Sequence, residues 1–355
     1  MTIHTARREG IKELAASPTA ALDVDVLLAH CIGREKSYVL AHRNDELCPM
    51  HYSAFTNALH LRKTGFPVAY ITGHKEFYAL DFLVTKDVLI PKPDTELLVE
   101  LALAEIARRS DIPSSHISFT QWRRNDAQIV RIADVCTGSG CVGISISHAL
   151  ATRGIAHTLM LTDISNAALA VAKKNAARLL PNEQFPRTAF ALGDLLHAVP
   201  DSAQFDIIVA NPPYVPHDEV DALLHDGRSE PRLALDGDAD TAMQDACSAV
   251  TLPESASGEY MHNAQNAMLP AARKSDGLAI IKRLVPLAYA HLADGGTFFV
   301  ESGEYNATQT AELLRAAGFA AVTTHCDLAG LPRVTIGCTA CNDNRPPVNH
   351  GNQFF

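Results

Sequence analysis

The chain has 355 residues, 47% hydrophobic and 20% charged, with a formal net charge of −10. That length accommodates roughly two domains, or one with an appendage, and no apolar run approaches the ~20 residues of a membrane span. The acidic balance argues against a broad nucleic-acid-binding surface, which requires clustered Lys and Arg, and suits a basic protein partner better.

The opening MTIHTARREGIKELAAS reads as an amphipathic helix without the apolar core and small-residue cleavage site of a signal peptide, so a cytoplasmic protein is expected. Residues 1–75 form a helical domain: DVDVLLAHCIG, EKSYVLAHR and HYSAFTNALHLRKTG carry apolar residues at three- and four-residue spacing. Around GHKEFYALDFLVTKDVLI the period changes to alternation, which predicts a β-hairpin linker over 76–92. Pro91-Lys92-Pro93 ends it, and Asp94 and Glu96 place negative charge on the first turn of a helix over TELLVELALAEIA, where the macrodipole favours it.

A second domain is predicted over 93–338. IVRIADVC, HTLMLTDI, TAFALGD and FDIIVAN read as strands, with VGISISHALA and NAALAVAKKNAARLL as helices between the first three. GLAIIKRLVPLAYAHL, GTFFVES and TQTAELLRAAG continue as helix, strand and helix, and AVTTHCDL with RVTIGC closes as a strand pair. Strands alternating with helices imply a mostly parallel sheet covered on both faces, with ligands beyond the carboxyl ends of its strands. Residues 239–275, rich in Ala, Ser and Asn, read as an insert, and 339–355 as a disordered tail. The eight cysteines are scattered, against a disulfide framework. Cys338-Thr-Ala-Cys341 with His325 and Cys326 allows a zinc site to be drawn, but the second well-spaced ligand pair is missing and no metal is expected.

Three strand ends carry chemistry. After the first core strand comes Asp134-Val135-Cys136-Thr137-Gly138-Ser139-Gly140, where glycines let the backbone approach a ligand at a helix N-terminus, or simply connect strand to helix. Its spacing is not G-x-G-x-x-G from Gly138, and no G-K-[ST] ending marks a phosphate loop. Asp163 ends the next strand, placed to accept both hydroxyls of a ribose or to cap the following helix, as Ser165 also can. Asp194 ends the third, where it can bond an adenine amino group while Leu195 packs on the ring.

The fourth strand end, Asn211-Pro212-Pro213-Tyr214, is more than a proline stop. The Asn211 side-chain oxygen and the Pro212 carbonyl can each accept one bond from an NH₂ group, while Tyr214 lies against the flat face that carries it. Together they make a socket for a planar amide or amine.

With these motifs in this order, the chain resembles the class I S-adenosylmethionine-dependent methyltransferases of exocyclic and amide nitrogens. More narrowly it resembles the release-factor glutamine methyltransferases (the PrmC/HemK family), through GFPVAYITGHKEF (Gly65 to Phe77), IPKPDTELLVE (Ile90 to Glu100), EPRLAL (Glu230 to Leu235), DGL (Asp276 to Leu278), ESG (Glu301 to Gly303) and DLAGLPR (Asp327 to Arg333). Lys92 stands where that family usually has Arg, Asn306 near its Gln, and Cys136 where its loop usually has Gly, which is expected to require φ below zero at that position.

The resemblance implies a Rossmann-like α/β sheet behind the helical domain, and methyl transfer to the glutamine amide of the Gly-Gly-Gln loop of class 1 peptide release factors, with S-adenosylhomocysteine as coproduct. Cys136, Thr137, Gly138, Ser139 and Gly140 would then contact the cofactor's methionine part, Asp163 its ribose, Asp194 and Leu195 its adenine. Asn211 would border both cofactor and substrate; Pro212, Pro213 and Tyr214 would complete the substrate socket, with Asn211, Pro212 and Tyr214 the catalytic set. A glutamine methyltransferase of a ribosomal protein, a nucleic-acid amino-methyltransferase and a catalytically silent cofactor-binding protein are the alternatives.

Overall fold

The computed structural model describes residues 1–109, 129–225, 230–239 and 275–340. At the N-terminus lie five helices: α1 (Ile3–Glu13), α2 (Ala20–Ile32), α3 (Lys36–Ala41), α4 (Pro49–Lys63) and α5 (Val68–Thr72). They bury a core of their own around Ile3, Leu27, Leu28, Phe55 and Leu59. Gly10 lets α1 approach α4, since a Cβ there would lie 2.8 Å from the Phe55 ring.

Gly73, at φ +75°, ends α5, and the chain becomes extended at once. β1 (His74–Phe77) therefore begins inside the segment assigned to the helical domain, and pairs antiparallel with β2 (Leu80–Leu83). The hairpin belongs structurally to the second unit. Phe77 and Phe82 are buried in the same core as Leu98 and Ile144. Asn175, fully buried, accepts from the Leu83 N–H (2.8 Å) and donates to the Leu83 carbonyl (2.9 Å) and to the Ser139 carbonyl (2.8 Å), so one side chain ties hairpin to glycine loop.

The second unit runs through a 3₁₀ turn at Pro93–Thr95, α6 (Glu96–Arg109), β3 (Val130–Val135), α7 (Cys141–Thr152), β4 (His157–Asp163), α8 (Asn166–Leu179), β5 (Thr188–Leu192), β6 (Phe205–Ala210), α9 (His217–His225), α10 (Ala279–His291), β7 (Leu292–Glu301), α11 (Ala307–Ala316), β8 (Ala320–Cys326) and β9 (Pro332–Cys338). The sheet order is β5-β4-β3-β6-β7-β9-β8, parallel except for β9, which runs antiparallel to both neighbours. This is the Rossmann-like methyltransferase arrangement expected.

Strand alternation feeds two cores: Ile207 and Val209 of β6 point to the layer with α6 and α7, whereas Ile208 and Ala210 point to the layer with α10 and α11. Between β3 and β6 the strand order reverses, which opens a crevice at their carboxyl ends.

Most of the insert and tail lie outside the described residues, but the insert's ends do not. Asp238 Oδ2 accepts from the Ser275 hydroxyl and from the Gly277 N–H (2.8 Å), so the chain leaves and returns at one neck. Cys341 also lies outside; Cys338 Sγ faces the Ala320 carbonyl at 3.5 Å, and no His, Cys, Asp and Glu cluster suited to a metal occurs among the described residues. Among those residues no helix is long and apolar enough to cross a membrane.

Candidate active site

Asp134 closes β3 inside the protein, 1% exposed, and organises the loop that follows. Its Oδ2 accepts from the Thr137 hydroxyl (2.7 Å) and the Gly143 N–H (2.9 Å). Burial lifts its pKa to about 7 against those two bonds, with the neighbouring charge of Asp163 adding to the rise. Gly143 has to be glycine for α7 to pack here, because a Cβ would sit 2.7 Å from Leu161 and 2.9 Å from Asp134.

Cys136 corrects an expectation: its φ is +59°, not negative. The Thr137 N–H bonds the Thr162 carbonyl across to β4 (3.0 Å), and the reversal this imposes falls on the residue before it. A left-handed non-glycine residue costs roughly 1–2 kcal/mol. Burial also pushes the Cys136 thiol up, away from thiolate character.

Asp163 is anchored by backbone donors: Oδ2 accepts from the Gly138 N–H and Oδ1 from the Ser165 N–H, both at 2.8 Å. The helix cap itself is Ser165, whose hydroxyl accepts from the Ala168 N–H (3.2 Å). Burial raises the Asp163 pKa, opposed by its backbone bonds. Each oxygen accepts one such bond and has a further lone pair, and Asp163 lines the cavity described below, so anchoring the loop and accepting a ligand's hydroxyls are compatible. Asp194 pairs with Arg283 of α10 through Oδ2, a partner not foreseen from the sequence, and Leu195 follows at φ +54°.

One cavity is lined by Cys136, Thr137, Gly138, Ser139, Asp163, Asp194, Leu195, Asn211 and Pro213 together. Gly140, Pro212 and Tyr214 are not on its wall. A Cβ added at Gly138 would meet nothing within 4 Å, so open space fronts the loop. Backbone amides, two carboxylates and an apolar Leu195 surface on one cavity fit a nucleoside-bearing ligand.

The turn after β6 is fixed from behind. Asn211 Nδ2 donates to Thr95 Oγ1 (3.1 Å), and the Tyr214 hydroxyl donates to Oε1 of Glu301 (3.3 Å), which is 2% exposed. The Tyr214 carbonyl accepts from the Tyr305 hydroxyl and from Asn306 Nδ2, both at 3.2 Å. Gly237 and Gly277 pack on its backbone so closely that a Cβ at either would lie 2.2 Å from a carbonyl oxygen. Two acceptors take no bond among the described residues: Asn211 Oδ1 and the Pro212 carbonyl. Thr95, Glu301, Tyr305 and Asn306 were not singled out as site residues from the sequence; IPKPDTELLVE, which holds Thr95, and ESG, which holds Glu301, both quoted for resemblance, were the available signal.

Residues 5–73 match the PrmC N-terminal domain and residues 120–229 the methyltransferase small domain. A release factor glutamine methyltransferase of Bordetella pertussis is 32% identical over 328 residues, covering 92% of this chain and 98% of that protein. The chain belongs to the release factor glutamine methyltransferase family. Other members align as extensively: that of Koribacter versatilis is 32% identical over 95% of this chain and 98% of its own, and that of Cereibacter sphaeroides 33% identical over 93% and 95%. Against the family pattern, Lys92 makes a single-point contact, Nζ to Glu230 Oε1 at 2.6 Å, where a guanidinium could bond bidentately. Asn306, which stands near the family's Gln, reaches Tyr214 and leaves its own Oδ1 buried without a partner.

Proposed function

We propose that this protein transfers a methyl group from S-adenosylmethionine to the side-chain amide nitrogen of the glutamine in the Gly-Gly-Gln loop of class 1 peptide release factors. The observation that carries this is the pair of unpartnered acceptors, Asn211 Oδ1 and the Pro212 carbonyl, beside a cavity shared with the glycine loop and Asp163. An NH₂ group presents two N–H donors, and the turn offers two acceptors. Family membership supplies the substrate, which the socket alone does not distinguish from other planar nitrogens.

When bound, S-adenosylmethionine supplies a methyl group made electrophilic by its sulfonium. Cys136 to Gly140 would hold its amino-acid part, Asp163 its ribose hydroxyls, and Asp194 with Leu195 its adenine. An amide nitrogen is a weak nucleophile because its lone pair is delocalised into the carbonyl. Asn211 Oδ1 and the Pro212 carbonyl accept its two N–H bonds, turn it to the cavity and stabilise the positive charge that develops on it. Much of the rate comes from this positioning, with Tyr214 against the amide plane. The cofactor would thus supply the methyl group and leave as S-adenosylhomocysteine, and the amide nitrogen, held by Asn211 Oδ1 and the Pro212 carbonyl, would release one proton to give N5-methylglutamine.

The helical domain with the hairpin would grip the release factor. A groove supports this, running from α2 and α5 past β1 and reaching Lys92, which also lines the cofactor-side cavity. Incubation with methyl-labelled cofactor and a release factor, a ribosomal protein or nucleic acid tests the reading. Label is expected on the release factor and absent after Gln→Ala in its loop; label that survives that change, or appears only on another substrate, overturns it.

A further inference from the structure

The groove and the cofactor-side cavity share one side chain. Of the described residues, Lys92 alone lines both the groove past α2, α5 and β1 and the cavity that holds Asn211. Its place is fixed by the backbone around it. Lys92 stands between Pro91 and Pro93, extended at φ −98° and ψ 143°, the conformation that a following proline favours. The Lys92 carbonyl accepts the Thr95 N–H at 3.1 Å, and Thr95 Oγ1 accepts from Asn211 Nδ2 at 3.1 Å, so two hydrogen bonds tie Lys92 to the amide socket. From the helical domain, the Tyr70 hydroxyl donates to the Val88 carbonyl at 2.7 Å and holds the same linker from its other side.

The side chain is held as well. Lys92 Nζ donates to Glu230 Oε1 at 2.6 Å, and that oxygen also accepts the Ile90 N–H at 3.3 Å. The Glu230 side chain is 4% exposed and that of Lys92 43%, so the carboxylate is buried and the open side of the pair belongs to the lysine.

We propose that Lys92 is a substrate-binding residue, whose ammonium donates to a backbone carbonyl of the two glycines as the release-factor loop passes from the groove to the amide socket. The inference rests on the release factor being the substrate.

The argument begins from what such a loop offers. The residues before the target glutamine are glycines, with no side chain to grip, so only their backbone can be held. Two residues span at most about 7 Å, which keeps both glycine carbonyls at the mouth of the socket. An ammonium has three N–H donors, and Glu230 takes one. The others are available to a ligand at the one place where groove and cavity meet.

Charge decides the class of acceptor. The Glu230 carboxylate compensates the lysine at close range, so an anion drawn to the ammonium would also meet the negative charge behind it, whereas a neutral carbonyl would not. The pair therefore suits a peptide backbone better than a phosphate or a carboxylate. A guanidinium at the same position would also keep N–H groups to spare after pairing with Glu230.

The test uses the full chain and a release factor, with binding followed by calorimetry in the presence of S-adenosylhomocysteine and rates measured with S-adenosylmethionine. Lys92→Met keeps the apolar stem and removes the donors. Because it strands the buried Glu230 without its cation, the double variant Lys92→Met, Glu230→Gln is measured beside it; its amide oxygen can still accept the Ile90 N–H, and the net charge is unchanged. In both, the release-factor Kd and KM should rise about tenfold or more, while the S-adenosylhomocysteine Kd stays near wild type. Lys92→Arg should retain most of the affinity. Salt separates a carbonyl from an anion: the release-factor Kd should depend on salt with the same slope in wild type and double variant. A third readout distinguishes contact from support: the Lys92 ammonium signal in a nitrogen–proton NMR spectrum, identified by its loss in Lys92→Arg, should shift and exchange more slowly with water when the release factor binds. Wild-type affinity in the double variant, an effect confined to the cofactor Kd, a reduced salt slope or an unmoved ammonium signal overturns the proposal. A release factor that binds the wild-type protein without being methylated overturns the assigned reaction instead, and the binding comparison still decides Lys92; one that does not bind at all overturns both.

Discussion

Within the glycine loop, Thr137 bonds Asp134 three positions away, Gly143 bonds it nine positions away, and Gly138 bonds Asp163 at 25. In the Asn-Pro-Pro-Tyr turn, Asn211 reaches Thr95 across 116 positions, and Tyr214 reaches Glu301 across 87 and Asn306 across 92. The glycine-loop bonds of the proposed cofactor half thus lie within one strand-loop-helix unit and its neighbour, although Asp194 reaches Arg283 across 89 positions, whereas the acceptor half exists only once the linker before α6, the end of β7 and the start of α11 have assembled. Damage to the first should register in cofactor affinity, and damage to the second in turnover.

The largest expected effect is that of Asn211→Ala, which removes one of two acceptors. kcat/KM for the release factor should fall by about 10²–10³-fold, while the cofactor Kd measured by calorimetry changes by less than about tenfold. Equal losses in both would erase the division between the halves. Asp163→Ala is the mirror experiment. Losing both the Gly138 anchor and the proposed ribose acceptor should weaken cofactor binding by about 10–100-fold, with kcat at saturating cofactor much less affected.

Gly277→Ala sharpens the comparison by attacking the long-range support without touching either ligand. A Cβ there would lie 2.2 Å from the Tyr214 carbonyl oxygen, and φ is +69°. Urea denaturation should show a loss of about 1–3 kcal/mol, accompanied by a fall in kcat at unchanged cofactor Kd.

The halves are also joined by protons. Asp134 and Glu301 both have pKa values lifted to about 7 by burial, and Asp163 is shifted the same way. A carboxyl whose folded pKa exceeds its unfolded value contributes stability that is complete below the unfolded value and lost as pH rises through the folded one. The urea midpoint should therefore fall as pH increases from about 5 to 8, and Asp134→Asn should flatten that slope. Smallest of all is Cys136→Gly. It relieves the φ +59° strain and adds backbone entropy to the unfolded chain, so stability should move by no more than about 1 kcal/mol. Cys136→Val, β-branched at a left-handed position, should be clearly worse.

The same difference in range explains what the sequence disclosed. Alternation in FDIIVA and the helical period of NAALAVAKKNAARL are local, and the strands and helices of the sheet stand where they were expected. The glycine loop and NPPY were legible because their unusual residue types announce themselves. Thr95 was not, because a threonine in the first turn of a helix looks like ordinary capping until Asn211 is folded against it. Glu301 and Asn306 announced a motif but not a role, since their partners lie on other strands and turns. The Asp194–Arg283 pair joins a strand end to a helix 89 positions later and left no local trace. For Cys136, the side chain's presence suggested an ordinary backbone, and a hydrogen bond to β4 overrode that preference.

The neck where Asp238 meets Ser275 and Gly277 has a consequence for how this chain can vary over evolution. Its two sides lie 37 positions apart in sequence, and Ser275 also accepts the His217 N–H (2.6 Å), three positions beyond Tyr214. A segment clamped at its base transmits little of its own length to what lies below. The bonds at the neck join Asp238 directly to Ser275 and Gly277, so the wall behind Tyr214 can keep its shape whatever length of chain connects them. The neck is thus a point at which lineages can lengthen the chain, and at which a reporter sequence can be spliced in, at a distance of a few residues from the chemistry.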